Sequence, residues 1–147
     1  MFGVLKYFAR RGGLRSEDGS TRQTGIRGET FAYWFLRQQG YVLVGRNYRV
    51  PNRRGEIDLI GWDDGVLAFV EVKTRTTESA VAAEAAVDAD KRAELLAMAR
   101  DYLRRRRLAE VSYRFDIIAL EALPGRRPQV RLHKGVFGPP ATPKAKR

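Results

Sequence analysis

Residues 55–75 read GEIDLIGWDDGVLAFVEVKTR, and this stretch decides the fold. Two apolar runs, Glu56 to Trp62 and Val66 to Thr74, flank Asp63-Asp64-Gly65, a composition typical of a tight hairpin turn. The second run stays apolar until Glu71, as expected for a strand that is buried on both faces. We therefore expect two paired strands, with the second strand in the centre of a sheet.

Helical and strand patterns surround this hairpin. In chain order they predict a helix over 28–39, a strand over 41–44, a helix from about Asp88 to the arginine run 104–107, a strand over 113–120 and an edge strand over 130–132. Gly40 stands where the first helix should end. The order predicts an α/β fold: a single domain with a central mixed β-sheet flanked by helices.

The length of 147 residues is enough for one hydrophobic core and does not require a second domain. Residues 1–25 are predicted to form a flexible basic N-terminal arm, 26–133 the folded domain and 134–147 a disordered basic tail. The sequence contains no cysteine, which excludes disulfides, thiolate zinc sites and cysteine nucleophiles, and favours a cytoplasmic location. No apolar run is long enough to span a membrane.

The chain is strongly basic. It has 28 Lys and Arg against 17 Asp and Glu, a formal net charge of +11. Such a charge favours a polyanionic partner, most commonly nucleic acid. An acidic membrane surface or a ribosomal partner would fit the same number, because net charge reports on association and not on fold.

Four side chains form a candidate catalytic constellation. Glu71 and Lys73 are two residues apart, so the alternation of a strand points both to one face. Asp58 lies in the preceding strand and is expected near Glu71. Glu29 heads the core-facing stripe of the first helix, where a carboxylate needs a partner or a cation.

These residue types suit the hydrolysis of a phosphodiester. Carboxylate oxygens bind Mg²⁺ or Mn²⁺, which polarises the phosphoryl oxygen and lowers the pKa of a bound water. The lysine can orient or deprotonate the water and offset charge on the phosphate. Arg53, Arg54 and Arg75 flank the two acidic strands and are predicted to contact backbone phosphates of nucleic acid.

Simpler interpretations remain open for several residues. Asp58, Glu71 and Lys73 could form a structural ion pair across strands, and Glu56 is expected to have a structural or arginine-pairing role. A buried Asp116 would be paired with an arginine or lysine. Lys91 could point toward the sheet but is expected to be solvated, and His133 is expected on the surface. Four aromatic side chains could stack on unpaired bases but are expected to pack in the core: Tyr33, Trp34, Phe35 and Tyr48.

The sequence closely resembles the YraN-like family of bacterial proteins over 26–120. The residues that carry the resemblance are Gly28-Glu29, Ala32, Leu36, Gly40-Tyr41, Arg46-Asn47-Tyr48-Arg49, 55–60, 69–75, Lys91-Arg92, Tyr102-Leu103 and 114–119. The family is similar to the PD-(D/E)xK, or restriction-endonuclease-like, superfamily and to archaeal Holliday-junction resolvases. One position departs from that superfamily, which has a proline where this chain has Ile57.

The resemblance implies a restriction-endonuclease-like fold and assigns roles to matching positions. Asp58, Glu71 and Glu29 would be metal ligands, and Lys73 would be the catalytic lysine. The implied activity is a Mg²⁺- or Mn²⁺-dependent nuclease or resolvase acting on structured DNA, and the implied assembly is a homodimer. The alternatives are a nucleic-acid-binding module of the same fold that does not cut, and a scaffold with a protein or ribosomal partner.

Overall fold

A computed structural model describes residues 20–75 and 89–138, with side chains from Gly28 onward. The elements are α1 (Ser20–Gln38), β1 (Val42–Tyr48), β2 (Ile57–Asp63), β3 (Val66–Arg75), α2 (Ala89–Arg105), β4 (Tyr113–Glu121) and β5 (Gln129–Phe137). The strands form one sheet in the order β1-β2-β3-β4-β5. The β3–β4 pair is parallel and the other pairs are antiparallel, which confirms the predicted mixed sheet and α/β class.

The hairpin and the central strand agree with the sequence prediction. Asp64 and Gly65 join β2 to β3 and both have positive φ, 48° and 79°, which favours this two-residue turn. β3 lies between β2 and β4, and its residues from Leu67 to Glu71 are buried. The apolar run therefore marks the middle of the sheet, because neighbours cover its edges and helices cover its faces.

Each face of the sheet has its own apolar cluster. On one face, α2 places Leu95, Met98 and Tyr102 against sheet residues that include Phe69 and Phe115. On the other face, α1 packs Phe31, Ala32 and Leu36 in a cluster with Leu59, Val70 and Ile118. We call these the α2 face and the α1 face.

A glycine lets α1 approach the sheet closely. A Cβ atom built on Gly28 would lie 2.5 Å from Oγ1 of Thr74, so a larger residue would force the helix or β3 to shift. This contact lies beside Glu29 and sets how near that acid comes to the strands. At the other end Gly40 has φ 93°, and the Tyr41 N–H donates to the Leu36 carbonyl at 3.0 Å, so the helix stops as predicted.

Three boundaries differ from the prediction. α1 begins at Ser20, inside the segment assigned to the N-terminal arm. β1 extends to Tyr48. β5 extends to Phe137, past the predicted domain end at residue 133, because Phe137 stacks on Phe115 with ring centroids 4.3 Å apart.

The rest of the predicted arm, over 1–19, and the rest of the tail, over 139–147, lie outside the described residues. Within the described part of the chain, neither helix has the length and apolar character needed to cross a bilayer.

Candidate metal centre

The position of Asp58 follows from the way β2 leaves β3. The two strands pair from Asp63↔Val66 to Leu59↔Val70. Beyond that pair the Val72 N–H donates to Oδ2 of Asp58 at 2.7 Å. The carboxylate thus serves as an acceptor for β3 and is held beside it with only 7% of the residue exposed.

Glu71 and Lys73 follow on β3 and, as alternation predicts, lie together. Nζ of Lys73 is 3.2 Å from Oε1 of Glu71. Lys91 from α2 also reaches this oxygen, at 3.7 Å, so it points toward the sheet, the alternative to the expected solvated side chain. Oε2 of Glu71 is buried and has no hydrogen-bond partner among the described residues, an arrangement that costs about 1–3 kcal/mol unless a ligand satisfies it.

Three carboxylates converge at this place. One oxygen each of Glu29, Glu56 and Asp58 lie within 4.8 Å of one another. Glu29 comes from α1, so the closeness depends on how that helix packs. Glu71 is not part of this close triad, but the next residue, Val72, donates to Asp58, and the charge of Glu71 raises the pKa of both Glu29 and Asp58. We call Glu29, Glu56, Asp58 and Glu71 the acidic cluster.

Glu56 is the member that the sequence prediction left out of the ligand set. Its expected arginine partner is present: Nη2 of Arg49 lies 2.9 Å from Oε2 of Glu56. The same side chain nevertheless belongs to the close triad. The signal that could have identified it is its spacing of two from Asp58, which places two acids on one side of an extended chain.

Burial and the charges of neighbouring acids make two members of the acidic cluster, Asp58 and Glu29, hard to ionise. The pKa of Asp58 is raised to about 8, chiefly by burial, then by the charge of Glu71 and to a smaller extent by Glu29 and Glu56. The Val72 N–H opposes this shift. The pKa of Glu29 is also raised, chiefly by burial and then by Glu56. A cation would remove the repulsion that holds these pKa values up.

The donor set fits a divalent cation. Every candidate ligand is a carboxylate, the oxygen donor that hard cations such as Mg²⁺ and Mn²⁺ prefer. The unpartnered Oε2 of Glu71 and the close triad are the two features that point to a bound ion. The structure therefore contains a possible acidic metal-binding site, and its geometry alone does not select one metal.

The predicted phosphate-binding arginines occupy different surroundings. Arg53 and Arg54 are exposed in the loop before β2. Arg75, at the end of β3, places Nη1 3.4 Å from Oε1 of Glu121 and is mostly buried. Nucleic-acid contact by all three stays a prediction.

A second buried acid lies outside the acidic cluster. Asp116 accepts hydrogen bonds from Nε of Arg114 at 2.9 Å, the Tyr41 hydroxyl at 2.8 Å and the Gly135 N–H at 2.9 Å. Arg114 also pairs with Asp63. The expectation that Asp116 is paired with a cation is confirmed, and its role is structural.

The mixed five-stranded sheet with α1 and α2 on its faces is consistent with a restriction-endonuclease-like fold. The chain belongs to the uncharacterised protein family UPF0102, whose family model matches residues 28–120. This confirms the predicted YraN-like membership. The matched range includes the whole acidic cluster, Lys73 and Lys91.

Its relatives come from diverse bacteria. A UPF0102 protein of Koribacter versatilis is 48% identical over 116 residues, which cover 78% of this chain and 79% of that protein. One of Solibacter usitatus is 46% identical over 110 residues, 75% of this chain and 82% of that protein. One of Symbiobacterium thermophilum is 41% identical over 117 residues, 80% of this chain and 98% of that protein.

Proposed function

We propose that the acidic cluster binds Mg²⁺ or Mn²⁺ and that the protein hydrolyses phosphodiester bonds in structured DNA, as a nuclease or resolvase. The observation that carries the proposal is the convergence of three carboxylates, Glu29, Glu56 and Asp58, beside buried Glu71, whose Oε2 is unpartnered among the described residues. A purely structural role does not explain why carboxylates that repel one another lie so close together. Perturbed carboxylates beside a lysine are typical of catalytic sites.

The residues of the site have separate tasks in this proposal. Glu29, Glu56, Asp58 and Glu71 would hold the ion, which when bound would neutralise them and polarise a phosphoryl oxygen. Lys73 is fixed next to the cluster by its contact with Glu71, so its ammonium group can orient the attacking water and offset charge on the phosphate.

Lys91 places a second ammonium group at the same carboxylate oxygen of Glu71. In this proposal it also contacts a substrate phosphate. The net charge of +11 would draw the polyanion toward the site, with exposed Arg53 and Arg54 beside β2. A homodimer and a cytoplasmic location, expected from the resemblance and from the absence of cysteine, belong to the same proposal.

A cleavage assay tests the proposal. Single-stranded, duplex and four-way-junction DNA would be incubated with Mg²⁺, Mn²⁺ or EDTA and the wild type, Lys73→Ala or Lys134→Ala. Lys134 is a matched control, because this lysine pairs with Asp63 in the other ion network. We expect metal-dependent cutting that falls about 100-fold or more in Lys73→Ala and persists in Lys134→Ala.

Two results would contradict the proposal. Cutting that is unaffected by Lys73→Ala would have another origin than this site. Binding of DNA without cutting on any substrate or metal would favour the alternative, a nucleic-acid-binding module that does not cut, for which the basic charge suffices.

A further inference from the structure

An exposed aromatic pair lies on α1. The Trp34 side chain is large and apolar, yet 54% of the residue is exposed. Its ring meets the ring of Tyr33 edge to face, with centroids 5.3 Å apart and an angle of 85° between planes. The expectation that these aromatics pack in the core holds for half-buried Tyr33 and fails for Trp34. An exposed tryptophan is a frequent sign of a binding surface.

Two arginines adjoin these rings. The guanidinium carbon of Arg37 is 5.1 Å from the centroid of Trp34 and 5.8 Å from that of Tyr33. The guanidinium carbon of Arg46, on β1, is 5.0 Å from the centroid of Tyr33. We call Tyr33, Trp34, Arg37 and Arg46 the aromatic patch. It combines ring faces that bases can stack on with cations that attract phosphates.

The aromatic patch borders the acidic cluster. Glu29, Tyr33 and Arg37 are four residues apart in turn, so they lie along one side of α1. The helical rise puts Tyr33 about 6 Å along the axis from Glu29. Arg46 adjoins Tyr33 from β1, and its charge lowers the pKa of Glu29.

We propose that the aromatic patch binds an unpaired base of the nucleic acid whose phosphate lies at the acidic cluster, with Trp34 as the stacking platform. The place of the phosphate rests on the proposed function, whereas base stacking is independent of cleavage. The helical rise separates Trp34 from Glu29 by about 7.5 Å along the axis, about two nucleotide spacings of one DNA strand. The substrate class would then be DNA with single-stranded or unstacked bases next to the cleaved bond.

Charge favours nucleic acid over a second copy of this chain as the occupant of the aromatic patch. Its two arginines attract a polyanion and would repel the same two arginines of a second copy. The nearby edge strand β1 also exposes Val42 and Val44, which a second copy could cover. The experiment therefore includes self-association as an outcome.

Fluorescence anisotropy in EDTA tests base stacking without cleavage. The probes are a labelled 15-residue oligothymidylate and an abasic strand of the same length, which keeps the phosphates and lacks the bases. We expect the wild type to prefer the oligothymidylate and Trp34→Ala to lose about tenfold of that preference, in line with stacking on one ring. Trp34→Phe should keep most of it, and Val42→Thr, at an equally exposed position, should keep all of it.

The readouts separate this inference from the proposed function. Equal affinity of the wild type for the two probes, or an unchanged preference in Trp34→Ala, would overturn base stacking. So would a Trp34→Ala effect confined to self-association in sedimentation velocity. A preference that depends on Trp34 without any cleavage would leave the base site standing and remove the nuclease. Cleavage without that preference would support the nuclease and remove the base site.

Discussion

Each face of the sheet buries an acid, and the two acids have opposite kinds of neighbour. One is surrounded by hydrogen-bond donors and the other lies near further carboxylates. Asp116 points to the α1 face with its neighbour Val70, and donors from Arg114, Tyr41 and Gly135 surround it. Glu71 points to the α2 face with its neighbour Ile117, has one oxygen without a partner among the described residues, and lies beside Asp58 of the close triad. Burial is similar in both places, so the difference lies in the partners.

The pKa values of Asp63 and Asp58, which lie in the two places, differ in the same sense. Hydrogen bonds from Arg114 and Lys134 lower the pKa of Asp63, which belongs to the same network as Asp116. Burial and neighbouring acids raise the pKa of Asp58. A buried acid with donors is typical of structural support, whereas buried acids that repel one another are typical of a site that meets a cation.

The largest effect on stability is expected on the structural side of the comparison. Asp116→Ala removes the acceptor of one arginine, one hydroxyl and one backbone N–H, and leaves these donors poorly satisfied. We expect the free energy of unfolding to fall by about 3–5 kcal/mol, measured by urea denaturation. Asp116→Asn keeps an acceptor and should cost less.

If Asp116→Ala cost no more than an ordinary surface substitution, the donors around Asp116 would not contribute as the contacts indicate. The two acids would then not differ in the way described.

The second prediction is that the contributions of Asp58, in the acidic cluster, and Asp63, in the network around Asp116, to the free energy of unfolding change with pH in opposite directions. In EDTA, folded Asp58 keeps its proton up to about pH 8, whereas the unfolded chain loses it near the ordinary value of 3.8. The stabilising contribution of Asp58 is therefore present at low pH and is lost as pH rises toward 8. Asp58→Asn should remove this loss and raise the unfolding free energy at pH 8 by about 1–2 kcal/mol relative to wild type.

Asp63→Asn is the control with the opposite sign. The pKa of Asp63 is lowered on folding, so its contribution is present at neutral pH and is lost in acid. Urea denaturation across pH 4–8 should separate the two variants. If the unfolding free energies of wild type and Asp58→Asn changed in parallel with pH, folding would not raise the pKa of Asp58.

The smallest effect tests how α1 brings Glu29 to the acidic cluster. Gly28→Ala introduces a Cβ against Oγ1 of Thr74 and should destabilise the protein by about 1 kcal/mol, after the gain in helix propensity is subtracted. In a Thr74→Ala background the same change should be neutral or stabilising, because the nearest atom is gone. A double-mutant cycle by urea denaturation measures this coupling.

If the effects of the two substitutions on the free energy of unfolding are additive, the Gly28–Thr74 contact does not set the position of the helix. Neither Gly28→Ala nor Thr74→Ala should alter the hydrogen bonds around Asp116.

Local patterns were enough to predict the hairpin, the central strand and the shared face of Glu71 and Lys73. These follow from turn composition and strand alternation, which need no knowledge of the rest of the fold. Asp58 beside Glu71 followed from pairing of the two adjacent strands. The fold class was accessible for the same reason.

The missed features depend on contacts between distant elements. Glu56 lies near Glu29, which comes from α1, a helix distant from Glu56 in the sequence. Lys91 reaches Glu71 from another helix, and the exposure of Trp34 depends on which side of α1 faces the sheet. No spacing within one segment contains this information.

Binding of Mn²⁺ tests most directly whether the acidic cluster is a metal site. Bound and free Mn²⁺ would be measured by electron paramagnetic resonance for wild type, Asp58→Asn and the matched control Asp63→Asn. We predict binding by wild type and Asp63→Asn, and at least about tenfold weaker binding by Asp58→Asn, since a charged ligand is lost. Equal binding by all three proteins, or no binding by wild type, would contradict the account.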